Sequence, residues 1–254
     1  MSRAQLSTVN IQTPDGTCDA YFARPEADGR YPAILFYMDA FGLRPTIADM
    51  VTHLAGNGYC VLAPNVFYRN GPAPVIDMPD MSVEGARQKF FAAVMPMMRR
   101  ITPERAVRDA GAYLDFLANN ESVAGDRFGA TGYCMGGVLA MRTAAAYPDR
   151  IVAAASFHGG RLATDSDDSP HRLASDIRAE LYFAHAENDQ SMNGAAIARL
   201  EQALTEAGVP YRSEVYPGTQ HGFTMADTPV FDADALARHW ENLFDLFGRT
   251  LAAR

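Results

Sequence analysis

The residues best equipped for chemistry are a cysteine framed by glycines, Gly132-Tyr133-Cys134-Met135-Gly136, and two groups further along the chain, Asp189 and His221. The first stretch is a G-x-S-x-G pattern with cysteine in the serine position, a nucleophile elbow that holds a reactive side chain on a strained strand-to-helix turn. Glycines two before and two after Cys134 let the entering strand and the leaving helix pass without a Cβ clash. The first amides of that helix have no internal acceptor, so the turn also aims N–H groups at an approaching substrate. A cysteine nucleophile needs a base for its proton, and the base needs an orienting acid.

The elements that must position these groups are legible around them. A short apolar run from Phe128 leads into the elbow, and ten residues rich in Ala, Val, Leu and Met follow it without proline, as a buried helix requires. The run 180–186 is a strand that empties into Glu187-Asn188-Asp189, and 211–216 is a strand that empties into Pro217-Gly218-Thr219-Gln220-His221. Nucleophile, acid and base thus fall in the chain order that an elbow of this type demands. Asp189 is preferred to Glu187 as the acid because it lies further into its loop. Of the six histidines, His53 and His239 sit in helices, His171 in a polar loop, His185 in a strand and His158 just after one. Only His221 has a strand before it, a Gly-rich turn around it and a helix after it.

The rest of the chain reads as alternating strands and helices. Two strand-like runs, 8–13 and 18–23, joined around Asp15-Gly16, predict an antiparallel hairpin. The continuous apolar run 32–38 predicts a strand buried on both faces, ending at Asp39-Ala40-Phe41-Gly42. An acid directly after such a strand lies where α/β sheets collect ligands, which makes Asp39 a site candidate. Helices are expected over 46–57, 82–98, 103–119, 194–208 and 229–248, with strands at 59–64 and 151–157. The Pro- and Gly-rich stretch 65–79 reads as a lid-like loop, and the acidic run 165–170 as solvated surface. This alternation predicts an α/β fold, a mainly parallel sheet covered by helices on both faces.

Composition narrows the classes. At 254 residues, 1–254 suits a single domain with a cap-like excursion around 65–100. Lys+Arg 22 against Asp+Glu 30 gives a formal charge of −8, which repels nucleic acid and anionic lipid. The polar start and the lack of an 18-residue apolar run exclude a signal segment and a bilayer span, so a cytoplasmic protein is expected. Three widely spaced cysteines, Cys18, Cys60 and Cys134, fit a reducing compartment, with Cys18 and Cys60 as packing residues. No metal and no cofactor is expected, and the oligomeric state, monomer or small homo-oligomer, is left open.

Gly132-Tyr133-Cys134-Met135-Gly136-Gly137, Ala186-Glu187-Asn188-Asp189 and His221-Gly222-Phe223, preceded by Asp39-Ala40-Phe41-Gly42, resemble the dienelactone hydrolase family of α/β-hydrolases, over roughly residues 8 to 250. The resemblance implies a Cys134, Asp189, His221 triad and an oxyanion hole made by the N–H groups of Met135 and Ala40. It implies hydrolysis of a lactone or carboxylic ester through an acyl-cysteine. In the family's best-known branch a glutamate occupies the position of Asp39 and holds the resting thiol; this chain has the shorter aspartate. That branch also grips a substrate carboxylate with an arginine two residues after His-x-Phe, where this chain has Met225. Neutral or apolar lactones and esters are therefore expected to be the better substrates, with Arg69, Arg87 and Arg99 read as surface arginines near the cap. The competing expectation is a small-molecule binding protein that uses the same pocket without turnover.

Overall fold

The apolar runs assemble into one eight-stranded sheet in a computed structural model that describes residues 3–81 and 83–251. The strands are β1 (Ala4–Thr13), β2 (Gly16–Pro25), β3 (Ala33–Tyr37), β4 (Cys60–Pro64), β5 (Phe128–Tyr133), β6 (Ile151–Phe157), β7 (Glu180–Asn188) and β8 (Tyr211–Gln220). Their spatial order is β1-β2-β4-β3-β5-β6-β7-β8. The first two pairings are antiparallel and all the others parallel. Every residue of β3, β4 and β5 is buried, which is why these segments show no polar alternation. The hairpin is longer than its apolar residues suggest. Backbone pairing needs no hydrophobic side chain, so the ladder continues to Ala4 and Pro25. Its Thr13↔Gly16 register leaves Pro14 and Asp15 as the turn.

Among the described residues six α-helices cover the sheet: α1 (Pro45–Gly56), α2 (Ala86–Arg99), α3 (Pro103–Ala118), α4 (Met135–Ala146), α5 (Gly194–Glu206) and α6 (Ala233–Thr250). On one face α1 meets α6, His53 stacking on Trp240 with ring centroids 4.4 Å apart. On the other α3 packs against α4, where the Tyr147 hydroxyl donates to the Val107 carbonyl at 2.9 Å. Thr102 caps α3 by accepting from the Arg105 N–H at 3.3 Å, ahead of Pro103 in the first turn.

Two expectations shift. The helix expected from 82 begins at Ala86, because Gly85 adopts a left-handed φ of 75° immediately before it; residue 82 itself lies outside the described residues. The acidic run 165–170 is more than solvated surface: Ser166, Asp168, Ser169 and Pro170 wall a cavity, and Asp168 pairs with Arg142 of α4. Helix α2 forms the opposite wall, burying Phe90, Val94 and Met97 in the core while turning Phe91, Met95 and Met98 toward the cavity. Together these segments place a covered space above the carboxyl ends of β3, β5, β6, β7 and β8.

Candidate active site

Cys134 is the single residue between β5 and α4 and adopts φ 55° and ψ −116°, a left-handed conformation that costs a non-glycine residue energy and persists only where surroundings impose it. The surroundings explain why only glycine serves at its flanks. A Cβ on Gly132 would lie 1.9 Å from the Gly136 carbonyl oxygen, and one on Gly136 would lie 2.4 Å from the Tyr37 carbonyl oxygen. The second contact lets α4 pack against the end of β3, so the elbow and the 39–42 loop share one cavity. The Cys134 N–H donates to the Phe157 carbonyl at 3.2 Å. The N–H groups of Met135 and Ala40 have no acceptor among the described residues.

Asp189 directly follows β7 and caps the short turn 190–192. Its Oδ1 accepts from the Ser191 N–H at 2.8 Å and hydroxyl at 2.7 Å, while Oδ2 lies 2.6 Å from Nδ1 of His221. The imidazole is thereby fixed by Nδ1, which leaves Nε2 uncommitted in the cavity that His221 and Cys134 line together. Burial alone would lower the His221 pKa, but the Cys134 negative charge and the Asp189 hydrogen bond outweigh it and hold the ring at about 10. Burial would likewise raise Asp189, yet its contacts with His221 and Ser191 keep it below the ordinary carboxylate value. Glu187 points elsewhere; it is exposed and accepts from the Gly218 N–H at 2.8 Å.

Asp39 is buried in the same cavity as Cys134, and burial raises its pKa despite a bidentate ion pair with Arg44. Arg44 carries no sequence signal, because its partners Asp39 and Asp227 become neighbours only when the chain folds. His158 is a second histidine at the site: it is buried, has φ 39°, donates or accepts at 2.8 Å with the Thr224 hydroxyl, and stacks edge-on to His221 at 5.3 Å. Burial and the neighbouring His221 push its pKa well down, so it is neutral. Ser191 could have been found, since a serine two residues after an aspartate is an Asx-turn signal.

The cavity has two lobes that meet at Cys134, His221 and Phe91. The larger, about 460 Å³, runs between α2 and the 160–170 loop and carries Arg142 and Arg161. The smaller, about 240 Å³, is enclosed by Ala40, Phe41, Met225 and Val230, with Arg87 at one side and its guanidinium 5.6 Å from the Phe91 ring. Arg69 is not there; it is tied to Asp15 and Asp109. Among the described residues no group of three or more His, Cys, Asp and Glu is placed to hold a metal ion. No helix among them is long and apolar enough to cross a membrane.

The model of the dienelactone hydrolase family matches residues 18–251, nearly the whole chain. The protein belongs to the dienelactone hydrolase family. It is accordingly a hydrolase of the lactone and ester class. A protein of Synechocystis sp. is 26% identical over 246 residues, covering 96% of each chain. The carboxymethylenebutenolidase of Rhodococcus opacus is 25% identical over 251 residues, covering 98% of this chain and 93% of that one. The solved structure of a Klebsiella pneumoniae protein superposes with a TM-score of 0.83 at 22% identity, over 96% of this chain and 98% of that one, and shares its α/β-hydrolase fold.

Proposed function

We propose that this dienelactone hydrolase family member cleaves a lactone or carboxylic ester through an acyl-cysteine intermediate, with Cys134 as nucleophile, His221 as acid and base, and Asp189 as the orienting acid. The observation that carries this reading is the 2.6 Å contact between Asp189 Oδ2 and His221 Nδ1, which commits one ring nitrogen and frees the other for the sulfur. The Cys134 thiolate attacks the carbonyl carbon and forms an S–C bond. The oxyanion that results accepts from the N–H groups of Ala40 and Met135. As the C–O bond breaks, imidazolium His221 gives its proton to the departing oxygen. Neutral His221 then takes a proton from water, whose oxygen attacks the thioester carbon; the S–C bond breaks and the thiolate returns.

The two lobes suit the two halves of an ester, one on each side of the attacked carbonyl. The smaller lobe is largely apolar, with Met225 in its wall, and favours a substrate part without charge. Asp39 lines that lobe together with Cys134, and its carboxylate is the group that would modulate the charge of the thiol. Free Cys18, Cys60 and Cys134 suit the reducing cytoplasm. Turnover of an activated aryl ester by the native protein, lost in a folded Cys134→Ala variant, tests the reading. Binding of the ester without turnover by the native protein would contradict it.

A further inference from the structure

Arg44 stands at the first helical turn's edge before α1, buried, and every N–H of its guanidinium is used. Nη1 donates to Asp39 Oδ1 at 2.7 Å and to the Gly42 carbonyl at 3.1 Å. Nη2 donates to Asp39 Oδ2 at 3.0 Å and to Asp227 Oδ1 at 3.1 Å. Nε donates to Asp227 Oδ2 at 2.6 Å. The side chains of Arg44 and Asp39 are only 6% and 3% exposed, so these contacts are shielded from water and the charges need one another. Asp39 Oδ1 also accepts from the Phe41 N–H at 3.0 Å. Both carboxylate oxygens are therefore occupied, and no hydrogen bond joins Asp39 to Cys134 among the described residues.

The position of this cluster gives it a function. Asp39 immediately precedes Ala40, which lines the smaller lobe with Cys134, and Asp227 lies on the loop that leaves His221 and carries Met225, Thr228 and Val230 into that lobe. One guanidinium thus joins the two loops that bound that lobe. We propose that Arg44 is a positioning residue for the reaction: it ties up both oxygens of the Asp39 carboxylate so that neither bonds the Cys134 sulfur, offsets its charge there, and holds the Ala40 loop against the loop after His221. This rests on Cys134 being the nucleophile of the proposed function.

Charge arithmetic makes the role testable. Asp39, Arg44 and Asp227 sum to −1; replacing Arg44 by a neutral residue gives −2, and replacing Asp39 by a neutral residue gives zero. The other titratable or charged groups facing the thiol in the smaller lobe are Arg87, His158 and His221, with Asp189 behind the last. In the larger lobe they are Arg142, paired with Asp168, and Arg161. None of these contacts Arg44, so substitutions within the cluster isolate its effect.

The experiment is the rate of Cys134 alkylation by iodoacetamide as a function of pH, in the full-length protein. Arg44→Gln is expected to slow alkylation at neutral pH by about tenfold, moving the profile to higher pH, because an uncompensated carboxylate beside a thiolate disfavours it. Adding Asp39→Asn to Arg44→Gln is expected to restore the native profile, and Arg44→Lys, which keeps the charge, to stay close to it. A double variant as slow as Arg44→Gln alone would show that Arg44 only braces the fold and would overturn the proposal. Should Arg44→Gln fail to fold, Asp39→Asn alone decides: faster alkylation supports the proposal and an unchanged rate overturns it. Alkylation reads the thiol directly, whereas retained ester turnover in Cys134→Ala would reject the nucleophile itself, so the two failures are distinguishable.

Discussion

His221 Nδ1 and Asp189 Oδ2 are 2.6 Å apart although 32 residues separate them in the chain, and the contact is made by loops leaving two adjacent parallel strands. The β7 and β8 pairing extends to Asn188↔Gln220, past a bulge after Ala186, and so carries both side chains to the same end of the sheet. His221→Ala and Asp189→Asn should each lower kcat by on the order of 10³ to 10⁴, the first by removing the base and the second by misorienting it. Glu187→Gln should leave kcat within about twofold, as an exposed group outside the site does. Steady-state kinetics on one aryl ester compares all three; a crippled Glu187→Gln beside a normal Asp189→Asn would reverse the assignment.

Cys134 should be the only thiol alkylated rapidly in the native protein. Burial pushes the Cys18 thiol up to about 12 and the Cys60 thiol up to about 11, so both are protonated and shielded at neutral pH. Cys134 alone lines the cavity. Peptide mapping after brief iodoacetamide treatment checks this, and first labelling at Cys18 or Cys60 would contradict it.

The triad should also leave a mark on stability as pH changes. A histidine held at about 10, against an ordinary 6.5, contributes stability that is complete below 6.5 and is lost as pH rises through 10. Asp189, held below its ordinary 3.8, contributes stability that is present above that value and is lost as pH falls through its lower folded value. The difference in Tm between the native protein and His221→Gln should therefore shrink steadily from pH 6.5 to 10. A difference that stayed constant over that interval would show that the imidazole is not held charged.

Much of this was readable from the chain alone. The elbow is local, because the glycines that permit the crossing are within two residues of Cys134, and strand ends placed Asp39, Asp189 and His221 by simple order. What could not be read depends on distant partners. Arg44 acquires its meaning from Asp227, 183 residues away, and His158 looks like any histidine after a strand until its ring meets His221. The 165–170 run looks like surface because its charges are exposed; Ser166, Asp168, Ser169 and Pro170 nonetheless wall the larger lobe.

Among the described residues Arg87 is the one arginine lining the smaller lobe, and it is exposed at its side, while Met225 offers only apolar surface. Arg87→Ala should lower kcat/KM for an anionic dienelactone by roughly 10- to 100-fold, the worth of one charge-assisted hydrogen bond, and leave an uncharged ester within about twofold. Parallel kinetics on the two substrates separate this from a general defect, which would depress both equally. The native protein is expected to favour the uncharged ester.

The acyl-cysteine itself is the most direct test. Rapid acid quench of the native protein with an activated aryl ester, followed by intact-mass and peptide analysis, should show one added acyl group on the peptide containing Cys134, and a greater yield in Asp189→Asn, where His221 is poorly placed to activate water. Loss of both the adduct and turnover in Cys134→Ala completes the expected result. Turnover at the native rate by a folded Cys134→Ala variant, or an acyl group found on another residue, would contradict it.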